Sequence, residues 1–436
     1  MCGLNAYNYM TNGEIDRLGE RIRASKGNPN SNDIDLLQEY RQSFQEPIAR
    51  VFSSVLQLAR KVDRQAIVTF RIKRIDTIID KLSRTQNKES GPMQFSRMWD
   101  IAGCRCIINT SDSNRLYDLL SSIKEVFGNA SKIVDHINPP KEDGYRSLHI
   151  YVKDQLSGKR IEIQIRNRKQ HNWATLVEIV DLLYGTRYKE YGNNGKLGRF
   201  LLLFSDTESL SDNDFSEMLK VEREEKVFER MSDTISANFF EIRKQWLKLK
   251  QKGPYYVISA NKKGSTIESF YSFKDAENVY YQKYQKEGNE SNIVLTYIPG
   301  QDFNQISIAY SNYILAMHAF FDDYRRLVSK KIIESITTNN FRTFVKDFSI
   351  YNKNIKYYFH NLRAELKSME GCVKDNDISR AQMNKWMNEV KDRLVDWSNE
   401  TTRFFDTLFF VTENKPIYRI YLRTRLNRLQ RYFYPR

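Results

Sequence analysis

The stretch that most constrains this chain is Val134–Arg166, VDHINPPKEDGYRSLHIYVKDQLSGKRIEIQIR. It holds two alternating runs joined by Ser157-Gly158. In the first, Leu148, Ile150 and Val152 share one face, and Ser147, His149 and Tyr151 the other. In the second, Ile161, Ile163 and Ile165 oppose Glu162, Gln164 and Arg166. Two period-two runs around a turn signal predict a β-hairpin. One face is core. The other carries acid, amide, imidazole and guanidinium, which is more than a solvated surface needs. A Pro139-Pro140 turn and a Gly144-Tyr145 pair precede the first run.

Around this hairpin the chain alternates. Residues 14–63 read as helical after the Gly27-Asn28-Pro29 break, with Asn32 and Asp33 as candidate caps and Pro47 as a kink or split. Residues 69–84 carry Ile72, Ile75, Ile79 and Leu82 at helical spacing, with Arg71, Lys73, Arg74, Lys81 and Arg84 around them. A β-like run covers 104–108, an amphipathic helix 113–127, and a helix with a buried face 172–188. A helical segment follows the Gly192–Gly195 turn, from about 212 to 250. Beyond Gly253-Pro254, strands at 255–260, 266–270 and 293–298 enclose a helix at 274–286. From Ile308 the pattern turns helical. Phe344, Phe348, Tyr351 and Ile355, and Met387, Val390, Leu394, Trp397, Phe404 and Leu408, form heptad-like seams of a helical hairpin or bundle. The expected fold is α+β, a mixed sheet flanked by helices, followed by a small C-terminal α+β module and a helical bundle. The expected divisions are 1–192, a helical connector 193–252, the small module 253–305 and the helical domain 306–436.

A chain of 436 residues with 40% hydrophobic residues can bury more than one core. The net charge of +15 favours polyanionic partners such as nucleotides or RNA. The 4 cysteines form no ligand set, because Cys104 and Cys106 share one strand face while Cys2 and Cys372 stand apart. A reducing cytoplasm is therefore the expected location. The N-terminus shows no signal-peptide pattern, and no apolar run is long enough to span a bilayer, so no membrane partner is expected. The tail Ile417–Arg436 is arginine-rich and lacks acids.

Handling a polyphosphate takes several cations in a cleft, an acid to hold Mg²⁺, and a base or metal at the attacking hydroxyl. Arg71, Lys73, Lys81 and Arg84 can supply the cations, and Asp100 and Glu162 the acids. Lys141 and Tyr145 sit beside the Pro-Pro turn. No GxxxxGK[ST] loop is present, so side chains must grip the phosphates. Each element alone reads equally as a solvated face, an N-cap or a surface ion pair. Their conjunction discriminates.

The segments RIKRIDTIIDKLSR (71–84), WDIAGCR (99–105), KEDGYRSLH (141–149) and EIQIR (162–166) resemble, in order, the motifs of the RelA/SpoT synthetase domain. The resemblance covers about residues 40–190 and implies a nucleotidyltransferase-like synthetase core. It also implies ATP as donor of a β,γ-pyrophosphate to a ribose 3′-hydroxyl. It places Arg71, Lys73, Thr77, Lys81, Arg84 and Arg105 on the ATP phosphates, and Asp100 and Glu162 on Mg²⁺ and catalysis. Lys141, Tyr145, His149, Gln164 and Arg166 fall on the acceptor side. LGERIR (18–23) and EYRQSF (39–44) resemble a stand-alone branch that includes toxic members acting on the 3′-CCA end of tRNA. With the basic charge, this inclines the expected acceptor to tRNA; GDP or GTP is the alternative acceptor, and a non-catalytic nucleotide- or RNA-binding regulator the second alternative. An antitoxin-like or trigger-responsive role is the expectation for the C-terminal region. None of the 5 histidines is followed by Asp, so the hydrolase half of long family members is not expected. Thr77 replaces a usual Ser, Asp80 and Val134 replace frequent basic residues, and His136 replaces a tyrosine.

Overall fold

The computed structural model describes residues 10–84, 92–128, 132–192, 195–249, 252–261, 264–288, 291–300, 302–310, 318–374 and 378–433. Cys2, Asn193, Asn194 and Arg436 lie outside the described residues. The chain divides into two units: residues 1–178, 188–193 and 249–314 form one, and residues 179–187, 194–248 and 315–436 the other.

The first unit is built on an eight-stranded mixed sheet of order β3-β4-β5-β2-β1-β8-β6-β7. Its strands are β1 (Ile67–Ile72), β2 (Ala102–Ile108), β3 (Lys132–Asp135), β4 (Leu148–Lys153), β5 (Arg160–Asn167), β6 (Tyr255–Asn261), β7 (Gly264–Phe270) and β8 (Asn292–Tyr297). The β4–β5 hairpin forms as the alternation predicts, with His149 opposite Gln164 and Tyr151 opposite Glu162. Among the described residues only β2 and β5 pair in parallel, Gly103 lying opposite Glu162.

One face of the sheet is apolar across its width: Val68, Phe70 and Ile72, Cys104 and Cys106, Ile150 and Val152, and Ile161, Ile163 and Ile165 are all buried in one core. Helix α3 (Gln45–Val62) packs there through Ile48, Val51 and Phe52, and α5 (Asn114–Phe127) through Leu116, Leu119 and Ile123. Each such side chain contributes roughly 1.5–3 kcal/mol by leaving water. Register therefore has little freedom, since a one-residue slip would bury Glu162, Gln164 and Arg105 instead.

Several expectations shift. The helical run at 69–84 is a strand followed by a helix: Arg71 lies on β1, Lys73 in the link, and only α4 (Ile75–Ser83) is helical. The β-branched run before Arg71 pairs with β2 on one side and β8 on the other, and sheet pairing overrides the helical spacing. The N-terminal helices are α1 (Asn12–Ala24), α2 (Ser31–Gln42) and α3. The cap of α2 is Asn30, whose side chain accepts from the Asp33 N–H, and the chain splits at Ser43-Phe44, leaving Pro47 in the first turn of α3.

The strands beyond 253 are not a separate module. β8 pairs with β1, setting Tyr297 opposite Phe70 with rings stacked at 4.9 Å, and Thr296 donates to the Phe70 carbonyl. Helix α11 (Phe273–Glu287) anchors the same joint. Glu277 and Arg41 of α2, both fully buried, pair at 3.1 Å, and Arg41 lies over the Tyr280 ring. Arg41 Nε also donates to the Lys73 carbonyl, while the Tyr280 hydroxyl accepts from the Ile75 N–H. These contacts brace the β1–α4 link from the far end of the sequence. Helix α12 (Phe303–Ala309) completes the unit, after α6 (Arg168–Tyr184), whose residues to Glu178 belong here, and the short α7 (Tyr188–Tyr191).

The second unit is helical: α8 (Gly195–Ser205), α9 (Asp212–Glu225), α10 (Val227–Lys248), α13 (His318–Thr337), α14 (Phe341–Lys374), α15 (Arg380–Val411) and α16 (Pro416–Phe433). α14 and α15 run antiparallel: Tyr358 stacks on Trp397 at 4.3 Å, and Glu365 receives Trp386 Nε1 and Arg393. The seam on α15 uses Trp386, Thr401 and Phe405 beside Val390, Trp397 and Leu408, whereas Met387 is exposed. Among the described residues no helix is long and apolar enough to cross a membrane.

Candidate functional site

The polar face of the sheet gathers its groups in transverse rows. Tyr151, Glu162, Gly103 and Arg71 follow one another across β4, β5, β2 and β1; His149, Gln164, Arg105 and Thr69 form the next row. Gly103 lets the strands approach closely there, because a Cβ would stand a tight 3.1 Å from the Glu162 carbonyl oxygen. The loop before β4 is shaped by Asp135, which accepts from the Ile137 and Asn138 N–H groups, and by Gly144 at φ 91°. Asp143 accepts the Tyr145 N–H and turns the ring onto the sheet.

Asp100, just before β2, holds two ammonium groups: Lys73 Nζ at 2.7 Å and Lys81 Nζ at 2.8 Å. Burial would raise the Asp100 carboxyl, but the two lysines outweigh it and hold it well below the usual carboxylate range. Burial lowers Lys73 from the ordinary lysine value, and the neighbouring Lys81 and Arg71 add to this against the pull of Asp100. One carboxylate thus serves several cations, and the excess positive potential suits a polyphosphate.

Glu162 forms the second focus. Its Oε1 takes His149 Nδ1 at 2.9 Å, and its Oε2 takes Gln164 Nε2 at 2.9 Å. Burial pushes Glu162 up, yet the hydrogen bond and charge of His149 prevail and keep it below its ordinary value; the charge of Asp100 opposes them. Burial pulls His149 down, and Glu162 and Tyr145 more than restore it, leaving it raised. The Tyr145 hydroxyl meets His149 Nε2 at 2.8 Å and Arg166 Nη2 at 2.5 Å. Against burial, Arg166 and His149 bring the Tyr145 phenol down to about 8. Lys141 Nζ stands 5.1 Å from the centre of the Tyr145 ring.

The expected phosphate-side residues divide. Arg71, Lys73 and Lys81 join the Asp100 cluster, Arg71 through its field on Lys73. Thr77 donates its hydroxyl to the Arg74 carbonyl, and Arg84 pairs with Asp80 one turn back. Arg105 Nη1 donates to the Ala309 carbonyl at 2.8 Å; burial, then Arg71 and Arg166, push it down to about 10. Beside it His171 Nε2 meets the Ile308 carbonyl at 2.7 Å, and Tyr310 bonds Thr296. The end of α12 therefore rests on Arg105.

Several contributors escape sequence reasoning. Tyr151 was legible as a neighbour of His149 on the alternating face, but its link to Glu162 needed the register. Trp99 packs edge-on against Tyr151, with the Arg160 guanidinium over it. Glu178 and Lys189, from α6 and α7, pair under the cationic rows; against burial, Lys189, Arg71 and Arg105 hold Glu178 at about 2. No spacing signal joins these positions.

Asp100 and Glu162 supply two hard carboxylates whose charges act on each other. Among the described residues no group of three or more metal-ligating side chains forms. Two carboxylates beside a cationic cluster fit Mg²⁺, which keeps waters and takes further ligands from substrate phosphates.

A cluster of carboxylates and cations thus lies at the mixed sheet, in a chain without a GxxxxGK[ST] loop. Residues 70–190, which carry it, match the region found in RelA/SpoT proteins. The chain is similar to the GTP pyrophosphokinase YwaC of Bacillus subtilis, 30% identical over 113 residues, covering 24% of this chain and 53% of that protein. It is similar also to GTP pyrophosphokinase YjbM of the same organism, 29% identical over 158 residues, 35% of this chain and 70% of that protein. The chain thus spans about half the length of YwaC. Among solved structures, the small alarmone synthetase 1 from Bacillus subtilis aligns at 24% identity over 44% of this chain and 99% of that one, with a TM-score of 0.32.

Proposed function

We propose that the chain is a pyrophosphokinase that moves the β,γ-pyrophosphate of ATP to the 3′-hydroxyl of a guanine nucleotide. The observation that carries this is the pairing of two foci on one sheet face. Asp100 with Lys73 and Lys81 can take the triphosphate, and Glu162, held ionised by His149 and then Tyr151, can take the hydroxyl proton. Mg²⁺ held by Asp100 and Glu162 would neutralise phosphate charge. Lys73, Lys81 and Arg71 orient the donor, and the Tyr145 ring, with Lys141 beside it, offers a face to the acceptor base.

The acceptor assignment rests on the relatives' names, GTP pyrophosphokinases. The net charge of +15 favours the tRNA 3′ end as second reading. Incubation with γ-labelled ATP and either GDP, GTP or tRNA separates them. Label in guanine nucleotide is expected; label in tRNA alone would replace the acceptor, and label in none would remove the reading. A cytoplasmic setting follows from such substrates.

The C-terminal region is proposed to regulate this site, with an antitoxin or trigger protein as the class of partner. The support is local: Ile308 and Ala309 offer their carbonyls to His171 and Arg105, where ATP phosphate was expected to bind.

A further inference from the structure

Two of the donors on Glu162, His149 and Gln164, trace back to a single nitrogen, while Tyr151 bonds the same carboxylate independently of it. Arg166 lies on β5 with Glu162 and Gln164, on the same face, and is 6% exposed. Its Nη2 carries two hydrogens. One reaches the Tyr145 oxygen at 2.5 Å and the other the Gln164 Oε1 at 3.2 Å. A guanidinium only donates and stays charged, so both contacts have a fixed direction. With its oxygen engaged, Gln164 must turn its NH₂ toward Glu162 Oε2. On the other arm, the Tyr145 oxygen accepts from Arg166 and meets His149 Nε2 at 2.8 Å. Facing the Glu162 carboxylate at 2.9 Å, His149 presents Nδ1–H to its Oε1. Two arms of different length end on the two oxygens of one carboxylate.

We propose that Arg166 is a positioning residue, the root of a forked hydrogen-bond network that anchors Tyr145 and Gln164 and through them holds Glu162 as an oriented acceptor for the substrate hydroxyl's proton. This rests on the pyrophosphate-transfer reading above. In that step the acceptor 3′-oxygen bonds to the β-phosphorus, and the bond from that phosphorus to the α,β-bridging oxygen breaks. AMP leaves with the electron pair, and the hydroxyl proton passes to Glu162. Arg166 touches neither phosphorus nor proton; it acts through Tyr145, His149 and Gln164.

The full chain is assayed for AMP release from ATP with the acceptor the wild type uses, GDP, GTP or tRNA. Loss of a buried hydrogen bond to a charged group predicts about a tenfold or greater fall per arm. Tyr145→Phe, which keeps the ring, and Gln164→Met each cut one arm and lower kcat about tenfold. Arg166→Met cuts both and lowers it about 100-fold, with KM for ATP within about twofold. Arg166→Lys, whose ammonium has donors for both arms, recovers about tenfold. Adding Tyr145→Phe or Gln164→Met to Arg166→Met changes kcat little, because the arm is already cut. Thermal melting of each variant checks folding. If Arg166→Met does not fold, the Tyr145→Phe/Gln164→Met double variant must show the 100-fold loss. Full multiplication of effects, a loss carried by KM, or a Lys variant no better than Met overturns the inference while leaving the reaction standing. A wild type that releases no AMP with any acceptor removes both.

Discussion

Two buried carboxylates in this chain meet opposite fates, and the difference lies in their donors. Glu162 has His149, Gln164 and Tyr151 as donors, and His149 above all keeps it ionised inside the sheet. Asp347 on α14 is 2% exposed, its Oδ2 finds no hydrogen-bond partner, and burial pushes its carboxyl up to about 6. The folded Asp347 therefore binds a proton more tightly than the unfolded one, whose value is near 3.8. Stability is greatest below about pH 4 on account of this group and is lost as pH rises to about 6, by roughly 1.4 kcal/mol per pKa unit. Asp347→Asn should stabilise the helical unit by about 2–3 kcal/mol at pH 8 and by little at pH 4. Urea denaturation at the two pH values measures this, and equal effects at both would refute the assignment.

At the scale of elements, the link between β1 and α4 matters most, because it carries Lys73. Arg41 of α2 holds its carbonyl, and Glu277 of α11 neutralises Arg41. Arg41→Met should cost about 3–5 kcal/mol in urea denaturation, since it leaves Glu277 buried and unpaired; the Arg41→Met/Glu277→Met pair should cost less than the single change. A double variant that costs as much as Arg41→Met alone, or more, would contradict this. The same joint explains what sequence reading could reach. Alternation made β4 and β5 legible, down to which side chains share the polar face with Glu162, because period two leaves one solution once Ile161, Ile163 and Ile165 are core. The run 69–84 misled because Ile72, Ile75 and Ile79 also fit a helix, and only pairing with β2 and β8 makes Arg71 a strand residue. Arg41–Glu277, Arg105–Ala309 and Glu178–Lys189 span sequence separations that no local period encodes.

At the scale of the molecule, residues 255–297 supply three strands to the sheet that carries the site, so the expected boundary at 192 does not delimit a self-sufficient domain. A chain ending at residue 252 should expose the β1 edge, lose the Phe70–Tyr297 stack and fail to unfold cooperatively in urea followed by circular dichroism. A cooperative transition matching that of the full chain would restore the original division. With the sheet whole, the reaction itself is tested most directly by stoichiometry. ATP is mixed with GDP or GTP, and AMP and pyrophosphorylated guanine nucleotide are counted together. One AMP for each product is expected, with both falling about 100-fold or more in Glu162→Gln. ADP or free phosphate in place of AMP, or product formation untouched by Glu162→Gln, would contradict pyrophosphate transfer at this carboxylate.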